Sequence, residues 1–216
     1  MSSTGLIGRT IEDLRVGLAA MSAADLRDPW WAAVPLEGPP APLAAAMCLR
    51  PGGMQIAPEV EAAVLDAGRR LADAGWKVEE IEDVPSIREA ADVQMRLWLG
   101  DGYAGLVDAA KRDGDPAAIA VVAAVRGMAE PLPCDVVSHA MVLRTTLQRE
   151  WRLFFTRYPV LLLPVSGELP FPDRLDLQGE AGFQRVWNAQ LPLRAPPALG
   201  LQAARECLVG GVRNGA

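Results

Sequence analysis

Apolar residues recur at helical spacing in one stretch of the chain after another. Ile11, Leu14, Leu18 and Met21 share a face, and Thr10 with Asp13 three residues on forms the two halves of a capping box, which places a helix start at Thr10. That helix should end near Ser22 to Ala24, with Asp28-Pro29 as the breaker. Val60, Ala63, Val64, Ala67 and Leu71 form a second face behind Pro58, with Glu59 and Glu61 at the positive end of the dipole and Arg69 and Arg70 nearer the negative end. Gly75 is placed to close this helix in the left-handed region. Residues 86–112 and 116–130 read as helices with weaker caps. From Asp135, the residues Val136, Ala140, Leu143, Leu147, Trp151 and Phe154 line one face of a long helix that ends at Arg157-Tyr158-Pro159. A shorter helix fits 179–189.

Strand patterns separate these helices. Leu43 to Leu49 is a short apolar run closed by Arg50-Pro51-Gly52-Gly53; it reads as a buried strand, with helix as the competing reading because of its alanines. Trp76 to Ile81 alternates as a half-buried strand. Val160-Leu161-Leu162-Leu163 is apolar without alternation, the pattern of a strand covered on both faces in the middle of an α/β sheet. Helix, glycine turn and strand over 58–81 make a compact α/β unit. The expected fold class is therefore α/β, with helices packed on a mixed sheet.

Composition narrows the partners. The chain has 216 residues, half of them hydrophobic, and a formal net charge of −6. That is enough apolar material for a real core, and the acidic balance disfavours nucleic acid and anionic membrane surfaces. The sequence holds no apolar run of transmembrane length and no signal-peptide pattern at its start, so a cytoplasmic location is the expectation. Cys48, Cys134 and Cys207 are widely spaced and lack a Cys-x-x-Cys pair, which fits neither a disulfide framework nor a zinc site. No metal or other cofactor is expected. Eighteen prolines and twenty glycines punctuate the chain, but no long polar linker divides it, and it reads as one unit over 1–216.

Several segments together resemble the amidase signature family. Gly5-Leu6-Ile7-Gly8-Arg9-Thr10-Ile11-Glu12-Asp13-Leu14 is similar to the family's Gly-Pro-(Ile/Met)-(Ala/Gly)-Arg-(Ser/Thr)-Val-x-Asp-Leu, with Leu6 in place of proline. Ala20-Met21 and Asp25-Leu26-Arg27-Asp28-Pro29 match the segment that follows. Pro58-Glu59-Val60, then Leu71 through Glu79, resembles the family's Pro-Glu-Val … Leu-x-x-Ala-Gly-x-x-Val-Glu. Arg144 through Trp151, with Phe154-Phe155 and Tyr158 through Pro164, resembles its late helix and strand; Pro159 and Leu163 depart from that pattern. Order and spacing agree over 5–200, while 201–216 diverges. Within the family the chain is most similar to amidases of the indoleacetamide hydrolase kind.

The resemblance implies hydrolysis of a small carboxamide to carboxylate and ammonia by a Ser-Ser-Lys triad. It also implies that the triad and its glycine- and serine-rich loop lie upstream of the segment that begins here at Gly5. No catalytic residue is carried over. Ser2-Ser3 lacks flanking glycines, and Lys77 and Lys111 fall on elements that the resemblance assigns elsewhere. The expectation is an incomplete amidase signature fold, inactive by itself. Three alternatives are a split enzyme completed by an upstream-encoded N-terminal half, a binding module without catalysis, and a pseudogene product that never accumulates.

Other constellations read more simply as structure. Gly100-Asp101-Gly102-Tyr103-Ala104-Gly105 fits G-x-G-x-x-G, but a helix precedes it and Asp101 would oppose a pyrophosphate, so a helix–helix turn is the better reading. Asp135, Ser138 and His139 imitate a triad. Adjacent helical side chains diverge, however, and Asp135 as an N-cap explains them. Ser166-Gly167 after a buried strand lacks the glycine that a nucleophile elbow needs two positions before its serine. Trp151 reads as core, and Trp30-Trp31 as the better candidate for a binding surface.

Overall fold

The computed structural model describes residues 5–28, 31, 43–100, 104–127, 133 and 135–192. Ser2, Ser3, Trp30, Cys134, Cys207 and the divergent tail lie outside them. The chain forms two compact units, Met1–Ala41 and Pro42–Ala216.

In the first unit, helix α1 spans Ile11–Met21 and none of its residues is buried. Its N-terminus is closed by the expected capping box: the Asp13 amide donates to Thr10 Oγ1 at 3.1 Å, and the Thr10 amide donates to Asp13 Oδ2 at 3.1 Å. Ser22 ends the helix, and its hydroxyl donates to the Leu18 carbonyl at 2.6 Å. Trp31 is 42% exposed, and its indole N–H donates to the Ser22 carbonyl at 3.0 Å.

The described residues of the second unit hold three strands in the order β2-β1-β3. Strand β1 is Ala44–Met47, β2 is Lys77–Glu80 and β3 is Val160–Leu162. Both pairings are parallel, so the mixed sheet expected from the sequence is, among the described residues, a parallel one. The run at Val160 is buried throughout, as its pattern indicates, but it stands at one end of the strand order. The centre belongs to the alanines of β1. Ala45 and Ala46 are fully buried on opposite faces, and their small side chains let covering helices approach closely from both sides.

Helix α2, Pro58–Asp73, carries the chain from β1 to β2. Gly75 takes φ 88° and turns it back, as its position after the helix predicts. Helices α3 (Ile87–Gly100), α4 (Ala104–Asp113), α5 (Pro116–Gly127) and α6 (Val136–Arg157) lead from β2 to β3, and α7 is Gly179–Ala189. Within the stretch read as helix over 86–112 the described residues form α3 and α4; residues 101–103, where the glycine-rich turn was expected, lie outside the described residues. Caps that the spacing left weak are present. Ser86 Oγ accepts from the Glu89 amide at 3.2 Å, and Asp115 Oδ1 accepts from the Ala117 amide at 2.9 Å.

Two cores sit on the two sheet faces. Ala46, Cys48 and Leu161 pack with Ile87, Ala90, Ala91, Leu147, Trp151 and Tyr158 from the α3 and α6 side. On the other face Met47 and Leu162 pack with Val64 of α2, joined by the partly buried Leu65, Leu71 and Val78. A third cluster of Met95, Leu99, Val125 and Phe183 joins α3, α5 and α7. At the end of α6, Tyr158 Oη donates to Glu79 Oε1 at 2.6 Å and the Arg157 guanidinium donates to the same oxygen at 2.8 Å, tying α6 to β2. Partial burial, then the hydrogen bond to Glu79, raises the Tyr158 phenol above its ordinary value.

Cys48 follows β1, is fully buried, and donates weakly to the Glu82 carbonyl at 3.7 Å. Burial pushes its thiol up from 9.0 to about 11. Because the folded value is raised, the thiol's contribution to stability is complete below pH 9.0 and disappears as pH rises through about 11. A displacement of that size corresponds to about 3 kcal/mol at high pH. Urea titrations from pH 8 to 11 should show an alkaline loss of stability that Cys48→Ala largely abolishes. An unchanged alkaline slope in the variant would assign the loss to other groups.

Candidate functional site

In parallel α/β sheets ligands collect beyond the carboxyl ends of the strands, where the strand order reverses. Here the chain moves from β1 to β2 on one side and then crosses to β3 on the other, so the reversal lies between β1 and β3. The segments leaving these two strands meet. After β1 the chain passes through a short 3-10 turn, Pro51–Gly53, to Gln55 and Ala57. After β3 it runs through Pro164 to Ser166, Gly167 and Glu168.

Gly167 joins the pieces. Its amide donates to the Ala189 carbonyl at the end of α7 at 2.8 Å, and its carbonyl accepts from the Ala57 amide, also at 2.8 Å. A Cβ at this position would run into the Gln55 carbonyl oxygen and come within 2.9 Å of the Met54 methyl. Only glycine fits this crossing of three segments, a role that the sequence pattern did not reveal.

Around this junction stand Ser166, Glu168 and Arg185. Glu168 holds Arg185 through both oxygens: Oε2 accepts from Nη2 at 2.6 Å and from Nε at 2.9 Å, and Oε1 accepts from Nε at 3.2 Å. This pairing raises the Arg185 guanidinium above its ordinary value. Trp187 stacks on Phe183 with ring centres 5.5 Å apart. Glu168 and Arg185 are separated by a proline-rich loop that carries no periodic signal, so their pairing is invisible in the sequence. The group offers a carboxylate–guanidinium pair and a hydroxyl. Those are means of holding and orienting a polar planar molecule.

The serines and lysines bear on the chemistry. Among the described residues Ser22 donates to Leu18, Ser86 caps α3, and the Ser138 hydroxyl donates to the Asp135 carbonyl at 2.8 Å. Ser166 Oγ accepts from the Glu168 amide at 3.2 Å, a local turn contact. Lys77 and Lys111 are both exposed. The triad-like trio at the start of α6 is not assembled. His139 Nδ1 lies 3.4 Å from Asp135 Oδ2 at the surface, while Ser138 turns to the backbone. Asp135 precedes the helix as expected, yet its side chain makes no capping bond and faces His139 instead.

Trp151 is 4% exposed, in keeping with its reading as core. Buried Gln94, 2% exposed on α3, was not anticipated. Among the described residues no group of three or more His, Cys, Asp or Glu side chains is placed to hold a metal ion. No helix among them is long and apolar enough to cross a membrane.

Comparison with known proteins adds the following. The model of the family described as Amidase matches residues 1–190. An indoleacetamide hydrolase of Bradyrhizobium japonicum is 33% identical over 94% of this chain and 44% of its own length. A second indoleacetamide hydrolase, from Bradyrhizobium diazoefficiens, is 30% identical over 94% of this chain and 39% of its own length. Among solved structures, a serine-to-alanine variant of Kluyveromyces lactis allophanate hydrolase shares the fold with a TM-score of 0.52 and 15% identity, over 83% of this chain and 31% of that one. The chain thus spans less than half the length of the curated relatives it matches.

Proposed function

From the premise that this chain belongs to the amidase family, we propose that it forms one part of a carboxamide hydrolase and is inactive in isolation. The reaction of the whole adds water across the acyl carbon–nitrogen bond; the carboxylate is released and the nitrogen leaves as ammonia. Two relatives named indoleacetamide hydrolase point to indolyl or aryl acetamides as the substrate class. The observation that carries the reading is the family match over residues 1–190.

The local geometry supports the division of labour. Attack on an amide needs a hydroxyl beside a base, plus donors aimed at the developing oxyanion. The described serines all engage their own turns, and both lysines point to solvent. What the chain contributes is the wall of Ser166, Glu168 and Arg185 beyond the sheet, with Gly167 holding it in place. The nucleophile and its base come from elsewhere in the complete fold.

The test is direct. Purified chain incubated with indole-3-acetamide and with benzamide should release ammonia no faster than a heat-killed control. Turnover that survives repurification would overturn the proposed inactivity.

A further inference from the structure

The two faces of the sheet are covered unequally. Among the described residues, helices α3 and α6 both contribute to the core on one face, whereas on the other the core draws on α2 alone. Three strands about 4.8 Å apart present more width than one helix of about 10 Å can cover. Among the described residues of the larger unit, the strip left beside α2 is an apolar groove of about 550 Å³, lined by Met47, Ala62, Leu65, Gly68, Ala72 and Val78, with Arg69 also on its wall.

Two features give the groove its shape. Gly68 brings α2 down onto the sheet, so that a Cβ there would approach the Met47 sulfur to 2.7 Å. Val64 and Gly68 are spent on this contact and are buried. Ala62, Leu65, Arg69 and Ala72 form a separate row at i, i+3, i+7 and i+10 on the flank of the same helix. A flanking row of small and apolar residues is what a second helix packs against. Parallel sheets, moreover, are normally covered on both faces.

The size of the relatives says what does the covering. They are more than twice as long as the part this chain matches, and the solved structure that shares the fold is longer still. We propose that the groove receives an apolar-faced helix from the part of the amidase fold that this chain does not contain, lying alongside α2 over Met47 and Val78. This inference rests on the reading of the chain as one part of an amidase, and it adds which surface joins the parts.

Ala62 and Ala72 are exposed, so a photo-crosslinking benzoylphenylalanine fits at either position without disturbing the core. Leu153 on α6, 65% exposed, serves as control. The three variants would be expressed in the cells that naturally make the protein, irradiated, and their adducts sequenced by mass spectrometry. Positions 62 and 72 should crosslink, several-fold above the control, to amidase-family sequence outside these 216 residues. Adducts to a second copy of the chain, to an unrelated protein, or at no more than the control yield would overturn the docking. Ammonia release by the joined parts is a separate readout. Crosslinks without turnover would sustain the docking and end the hydrolase reading, and turnover without crosslinks would do the reverse.

Discussion

Trp151→Ala is expected to destabilise the larger unit by about 4 kcal/mol, within the usual range for deleting a buried aromatic. Trp151 is 4% exposed and sits in the main core with Leu147 and Tyr158. Its ring meets Phe154 and Phe155 with centres 5.7 Å apart in each case, and Phe154 in turn meets Tyr158 at 5.3 Å. Removing it therefore opens a cavity and ends two ring contacts at once. Total stabilities of such domains are about 5–15 kcal/mol, so the variant should unfold at a much lower urea concentration. Trp151→Phe provides the comparison. It keeps most of the ring volume and also removes an indole N–H that has no hydrogen-bond partner among the described residues, so it should lose far less. Equal losses for the two variants would show that retained ring volume at this position does not protect the core.

Gly167→Ala should be nearly as damaging, at about 3 kcal/mol, through backbone crowding rather than a cavity. The added methyl meets the Gln55 carbonyl oxygen, and relief requires movement of a segment whose neighbours hold Gly167 by two hydrogen bonds of 2.8 Å. Gly53→Ala is the control: it is another loop glycine with open space where its Cβ would stand, although its φ of 68° makes some strain unavoidable there. Urea denaturation should rank Gly167→Ala clearly below Gly53→Ala. Hydrogen exchange at the Ala57 and Gly167 amides should accelerate only in the former. If exchange at both amides were unchanged, the junction would not be the point of strain.

These residues also show how far the sequence can be read. Thr10 and Asp13 announced the start of α1 because a capping box is a local device, complete within four residues. The turn at Gly75 was legible for the same reason. Strand β1 was ambiguous because alanine favours helix by propensity. Its place at the centre of the sheet is decided by neighbours far along the chain that need thin partners. The strand order was not legible either, since the run at Val160 carries the pattern of a covered strand wherever it stands. Of the wall beyond the sheet, Ser166 and Gly167 were noticed as a motif that fails. Glu168 and Arg185 went unnoticed, because an ion pair across a proline-rich loop leaves no spacing to find. Family resemblance rested on segments that are mostly structural, which is why it could identify the fold while assigning no catalytic group.

The alanines of β1 change how substitution tolerance in this chain should be understood. Ala45 and Ala46 are both fully buried; Ala46 packs in the α3 and α6 layer, and strand alternation turns Ala45 to the opposite face. Any larger residue at either position must push a whole layer outward, whatever its chemistry. Intolerance there measures the thickness of a slab. It is no sign that a ligand is near.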